Sequence, residues 1–356
     1  MSRRGTATML TPALVLAVSV LAVSVLSVPV ATAQSISPER LNAIYRMSAE
    51  DMAATGMFTR SAWERLLAYL YGMKNTVYRD LVLDMVLNPE AKVYGQKTTQ
   101  SFRASPAATG KGHHSYPGGL PVHVLEWIEV AMGWADAYER VYKTGPVDRE
   151  LVIAALTLHD WAKVWYEFNT ATGKIEKPAW YPAPWGDDKL KAKWKWMGDH
   201  GNVVYAELYH RNAPEALIVA TAATHFDPHW DLDKEGEGLN PALKEAAATA
   251  KKPPIVVTKE RTMAEWFLST YTDGAWSFGH YLAPPITYEA VAAVAKDLGL
   301  APDSRETSLL AWFVQTRVSD FRIYQIYQQA GFNKEAAKAL VRSVIADSSA
   351  YEVPKR

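Results

Sequence analysis

The chain has 356 residues, enough for two domains of ordinary size or one large domain with extensions. Hydrophobic residues make up 49% and charged residues 21%, which excludes a disordered, collagenous or multispanning membrane protein. Lysine plus arginine and aspartate plus glutamate both number 38, so no global field draws the chain onto nucleic acid; the absence of cysteine removes disulfides, thiolate metal sites and cysteine nucleophiles.

The first element in chain order is an address. Arg3 and Arg4 precede the apolar run MLTPALVLAVSVLAVSVLSVPV, and Ala31-Thr32-Ala33 stands before Gln34. A positive start, an apolar core and a small-x-small exit predict a secretory signal peptide over 1–33, cut after Ala33. The competing reading is an uncleaved anchor helix, because the run approaches the ~20 residues that span a bilayer. Cleavage would leave a periplasmic or secreted protein with no membrane attachment and 36 basic against 38 acidic residues.

Helical patterns follow almost without interruption. Ser37-Pro38-Glu39 combines a capping serine, a proline at the first helical position and an acid in the first turn. Further helices are expected near 61–72 and 75–87, then a loop from Asn88 to Gly112 rich in small and turn residues. From Gly119 the residues Leu120, Val124, Trp127, Ile128 and Ala131 share one helical face. Helices are also expected at about 148–163, 200–211, 214–225, 259–273, 287–298, 305–328 and 333–346. Ile255-Val256-Val257 is the one short strand candidate, so the chain is predicted to be all-α.

Six residues carry the chemical signal: His123, the adjacent His159-Asp160, His200, His225 and Asp273. Each falls on a predicted helix or at its end. Imidazole and carboxylate without thiolate suit iron, manganese, zinc or magnesium. Four histidines and two aspartates are enough for two such divalent ions bridged by one carboxylate. A bridged pair would activate a water and clamp phosphoryl oxygens, with Lys163, one turn after the dyad, neutralising phosphate charge. His113 and His114 precede a Gly118-Gly119 turn and are placed to orient substrate or protonate a leaving oxygen. Both glycines are expected to serve the turn through positive φ.

Two stretches surround these residues, HHSYPGGLPVHVLEW (113–127) and LTLHDWAKV (156–164). With the order H…HD…H…H…D, they resemble the HD-domain metal-dependent phosphohydrolase superfamily, and 113–127 looks like the opening of the HD domain in bacterial 3′–5′ exoribonucleases and related nucleotide hydrolases. The likeness covers roughly 110–280. It implies an all-α HD helical bundle with extra N- and C-terminal helices: an N-terminal region over 34–109, a metal-binding domain over 110–285 and an extension over 286–356. It makes His123, His159, Asp160 and Asp273 ligands of a first ion, with His200 and His225 completing a second site around Asp160. Asp320 in TRVSDFRIY is a rival for the last ligand; Asp273 is preferred because it follows His225 at the family's usual distance.

The tryptophan-rich segment from Trp161 to Trp196 departs from that family. Its proline-interrupted part, with Trp180, Tyr181 and Trp185, is a candidate lid or substrate wall, set against ordinary packing of the loop onto the bundle. Lys189, Lys191, Lys193 and Lys195 could attract an anionic substrate or form a solvated face. No OB-type nucleic-acid domain precedes the HD part, so the expected partner is a small-molecule phosphorylated substrate, not nucleic acid. Two other functions share the ligand order: a di-iron oxygenase of the myo-inositol oxygenase type, and a metal-stabilised ligand-binding protein without turnover.

Overall fold

Short polar caps decide where many of the helices begin. Ser37 and Ser48 accept from the backbone N–H groups of Arg40 and Asp51, opening α1 (Pro38–Tyr45) and α2 (Ala49–Thr55). After α3 (Met57–Gly72), Asn75 opens α4 (Thr76–Leu87) in the same way. The computed structural model describes residues 35–182, 198–226, 232–234, 238–274 and 281–353. The expected signal peptide, Trp185 and the alternating lysines 189–195 lie outside them. The described residues belong to one unit, Gln34–Arg356, and none of their helices is long and apolar enough to cross a membrane.

The all-α expectation holds. A central group comprises α5 (Gly119–Tyr142), α6 (Arg149–Leu158), α7 (Gly198–His210), α8 (Glu215–Ala223), α9 (Leu239–Thr249) and α10 (Ala264–Gly274). Helix α10 packs on α5, α6 and α8, while α3 and α4 cover the outer sides of α5 and α6. Leu66, Leu70, Val82 and Met85 of the N-terminal helices share one core with Leu151–Leu158 and Leu217–Ala223. A second core joins Ile44 of α1 to α11 (Pro284–Asp297), α12 (Arg305–Arg317), α13 (Asp320–Gln329) and α14 (Lys334–Ala346).

Several local expectations are corrected. The segment 305–328 is two helices: Val318 is extended, and Ser319 caps α13 by accepting from Arg322 N. The helix expected over 148–163 stops at Leu158; Asp160 leaves helical geometry at φ −104°, and Trp161–Trp165 continue as a 3-10 turn. Ile255–Val257 is no strand. The N–H of Ile255 donates to Tyr209 Oη at 3.0 Å and that of Val257 to Asn240 Oδ1 at 2.8 Å, so side chains satisfy this backbone. Two hairpins too short to show period two were not foreseen, β1 (Glu90–Ala91) with β2 (Gln96–Lys97) and β3 (Glu167–Asn169) with β4 (Lys174–Glu176). Helices α2 and α9 were also missed.

The Gly118-Gly119 turn aims α5. Gly118 is left-handed at φ +84°, as positive φ predicts, but Gly119 is needed for close approach: a Cβ there would lie 1.9 Å from His114 O. This contact fixes the histidine loop against the start of the helix that carries His123. Gly119→Ala should therefore cost about 1–3 kcal/mol by overpacking. Urea unfolding monitored by circular dichroism checks it, and unchanged stability would show that the loop yields freely.

Candidate metal centre

The structure brings the six residues together, mostly from helix ends. His123 sits in the second turn of α5, His159 caps α6, and Asp160 begins the 3-10 turn. His200 lies in the first turn of α7, His225 just beyond α8, and Asp273 in the last turn of α10. His123 Nε2 is 3.2 Å from Asp160 Oδ2 and 3.3 Å from both Asp273 Oδ1 and His159 Nε2. His159 Nε2 is 3.4 Å from Asp160 Oδ2 and 3.3 Å from Asp273 Oδ1. The other oxygen of Asp160, Oδ1, faces His200 Nε2 at 3.1 Å and His225 Nε2 at 3.6 Å.

These spacings fit a cation. Metal bonds of about 2.0–2.2 Å place neighbouring donor atoms roughly 3.0–3.5 Å apart. Asp160 Oδ1 is buried and accepts no hydrogen bond in spite of its histidine neighbours, as expected of an atom facing an ion. The triads His123/His159/Asp273 and His159/Asp160/His225 each offer ligand atoms within 4.8 Å of one another. The buried His/Asp cluster could therefore hold metal ions.

Electrostatics agree with that reading. Burial alone would raise the Asp160 carboxyl, yet Lys163, His159 and hydrogen bonds from His123 and His159 hold it well below the usual range. Asp273 is likewise held low against its burial, chiefly by His159. Burial disfavours charge on His159 too, but Asp160 and Asp273 outweigh it and raise the ring to about 10. Burial prevails at His225, lowered to about 4 despite the pull of Asp160.

Neighbours orient the rings. His159 Nδ1 lies 2.7 Å from Leu156 O, so it donates there and Nε2 points into the cluster. Tyr205 Oη is 2.9 Å from His225 Nδ1. The indole N–H of Trp127 donates to His123 Nδ1 at 3.0 Å, which puts the proton of a neutral His123 on Nε2. Ligation by His123 then requires that proton to leave or the indole to turn away. Trp127 was legible only as a helix-face residue, and nothing in the sequence flagged Tyr205, which stands 20 residues from its partner.

A cavity of about 240 Å³ opens on the cluster, and His113, Lys163, Tyr166 and Lys177 line it. Lys163 Nζ is 2.5 Å from Asp160 Oδ2. Burial, with His123, His114 and Lys163 nearby, pushes His113 down to about 2, so at neutral pH it offers a lone pair or an N–H and no labile proton. His114 pairs with Glu126 at 3.3 Å and faces a second cavity, of about 290 Å³, which Asp320 also lines. Asp320 is bound by Gln315 Nε2 at 3.1 Å and stands apart from the six ligand candidates. Trp180 is not among the residues lining the metal cavity; its ring lies 5.5 Å from Trp165, 5.7 Å from Tyr94 and 4.8 Å from Tyr181.

Two measurements follow from this geometry. Metal uptake must displace the proton on His159, whose folded pKa of about 10 keeps it charged at neutral pH. Apparent affinity for a divalent ion should strengthen between pH 6 and 8, and calorimetry in buffers of different ionisation enthalpy should detect proton release; a pH-independent affinity would contradict the cluster. Trp180→Ala removes a partly buried ring from an aromatic cluster and should cost roughly 2–4 kcal/mol of stability with an unaltered Michaelis constant. A raised Michaelis constant at unchanged melting temperature would instead make Trp180 a substrate wall.

Comparison with known proteins adds independent support. Over 164 residues, 46% of the chain, it is 28% identical to dihydroneopterin 2′,3′-cyclic phosphate phosphodiesterase of Methanocaldococcus jannaschii, covering 59% of that protein. Over 101 residues, 28% of the chain, it is 31% identical to the 3′-5′ exoribonuclease YhaM of Bacillus pumilus, covering 27% of that relative. The corresponding protein of Bacillus subtilis is 32% identical over 101 residues and likewise covered for 27% of its length. No protein-family model and no solved structure matches the chain. The expectation that nucleic acid is not a substrate gains no support, because exoribonucleases are among these relatives. The resemblance to the HD-domain metal-dependent phosphohydrolases stands on both the curated relatives and the buried cluster of histidines and aspartates.

Proposed function

We propose that the protein is an exported, metal-dependent phosphohydrolase that cleaves a phosphoester of a nucleotide-like substrate. The observation that carries this reading is the division of Asp160: Oδ2 faces His123 and His159, while Oδ1 faces His200 and His225. A carboxylate so divided suits a bridge, with Asp273 completing the first site. Divalent ions held there would supply an activated water and a clamp on phosphoryl oxygens.

The chain's own residues serve the reaction in distinct ways. Asp160 stays ionised because Lys163 and His159 offset its burial, so it is ready to accept cations. Lys163, bonded to Asp160, would hold that carboxylate in place for a bound ion and sets positive charge at the cavity wall. His113, kept neutral, orients a phosphate or ester oxygen through a hydrogen bond. The names of the relatives include a cyclic phosphate diester and RNA as targets, so both small phosphodiesters and RNA ends belong to the substrate class to be tried. Export rests on the signal pattern at residues 1–33.

The test uses protein stripped of metal and reloaded with iron, manganese, zinc or magnesium. Hydrolysis of a nitrophenyl phosphodiester, cyclic nucleotides or a short RNA should require the ion. Asp160→Asn should lower both metal content and turnover, the latter by on the order of 100-fold or more. The mature protein recovered outside the cytoplasm should begin at Gln34. Metal-dependent oxygen consumption without phosphoester cleavage would overturn the reading in favour of the oxygenase.

A further inference from the structure

The cavity of about 290 Å³ adjoins the metal cavity, and His113 lines both. Its chain neighbour His114 is buried, with its ring 5.5 Å from that of His123 and 6.0 Å from that of Tyr116. The two cavities therefore meet at this histidine pair. The other walls combine rings and acids: Phe58, Tyr116 and Phe321 supply flat apolar surface, and Glu126, Glu129 and Asp320 supply carboxylates. Two of these acids are paired. Glu126 lies 3.3 Å from His114 Nε2, and Glu129 lies 2.5 Å from Arg65.

Asp320 differs from them. It is 8% exposed and opens α13, where Gln315 Nε2 donates to its two oxygens at 3.1 and 3.2 Å. One neutral amide shared between both oxygens leaves much of the carboxylate's accepting capacity unused. Among the described residues no lysine or arginine pairs with it, and burial lifts its carboxyl above the usual range against the pull of Thr287, Gln315 and His114. A buried acid without a full counter-charge is costly, and this one lines a cavity instead of a sealed core. The metal cluster makes no use of it. The ligand that suits such a space is flat enough to lie against aromatic rings and offers two N–H donors side by side, because one carboxylate accepts from two adjacent coplanar donors.

We propose that this cavity seats a heterocyclic base of the substrate, and that Asp320 recognises a base edge with neighbouring N–H donors such as that of guanine. The phosphoester would then lie across His113, at the cluster. This inference rests on the phosphohydrolase reading for the ester, whereas capture of the base alone does not depend on it. The C-terminal layer, which supplies none of the six clustered residues, thereby takes a share in substrate choice.

Guanosine is the probe, titrated calorimetrically into the metal-loaded full chain. Inosine, which lacks the exocyclic amino group, is the comparison. Wild type should bind guanosine roughly 10- to 100-fold more tightly than inosine, and that measurement needs no variant. Asp320→Asn exchanges one acceptor for a donor and should remove most of the preference, with metal content and melting temperature close to wild type. In steady-state kinetics, the ratio of kcat/KM for a cyclic guanosine phosphate to that for a nitrophenyl phosphodiester should fall by a similar factor, and guanosine should compete with the cyclic phosphate. No guanosine binding by wild type, equal affinity for guanosine and inosine, a preference that survives Asp320→Asn, or guanosine binding that does not compete with the ester would each overturn the proposal. If the wild type cleaves no phosphoester but binds guanosine in an Asp320-dependent manner, the base site stands and the hydrolase reading falls.

Discussion

A carboxylate that is 1% exposed, Asp160, sets the conditions for everything around it. An isolated buried charge costs several kcal/mol, so its ionised form persists only where positive charge and hydrogen bonds surround it. Lys163 comes from one turn later in the chain, and four imidazoles arrive from α5, α6, α7 and the end of α8. Removing any one of these elements would leave part of that charge uncompensated. The packing of the central helices and the electrostatics of the cluster are therefore one problem with one solution.

Helix ends are where this solution is built. The last turn of a helix carries partial negative charge from unsatisfied carbonyls, which favours a cation and disfavours an anion. His159, at the end of α6 and raised to about 10, follows that preference. Asp273, in the last turn of α10, opposes it, and its carboxyl is nevertheless held low by His159 and by hydrogen bonds from His123 and His159. An acid at the wrong end of a helix, kept ionised beside a charged imidazole, marks a place where the fold concentrates negative potential for a cation.

The C-terminal layer solves a different problem. Its own core joins α1 to α11–α14, and a third cluster with Met52, Tyr116 and Trp312 ties it to the ligand-bearing side. Arg317 is 2% exposed, stacks at 3.5 Å over Phe313 and bonds Glu352 at 2.8 Å, which fastens the last described residues. Through Arg305 and Trp312 of α12 the layer also holds the β3–β4 hairpin. A hairpin of three-residue strands would be marginal without such support.

Residue type and order alone determined the all-α class, the clustering expected of His123, His159, Asp160, His200, His225 and Asp273, and the chemistry of a donor set without thiolates. Those features are local: helical periodicity, caps and the identity of a side chain are all carried by a few consecutive residues. The end of α6 at Leu158, the break at Ser319 and the backbone of Ile255–Val257 were not legible, because each is settled by partners distant in sequence or by a cap that competes with propensity. The same holds for Tyr205 behind His225, for Gly119 against His114, and for Lys177 entering the cavity from a hairpin docked on α12. Sequence specifies which groups exist and how they are spaced along a helix. Only tertiary packing decides which oxygen of Asp160 each histidine faces, because angstrom distances between elements depend on how whole helices seat against one another.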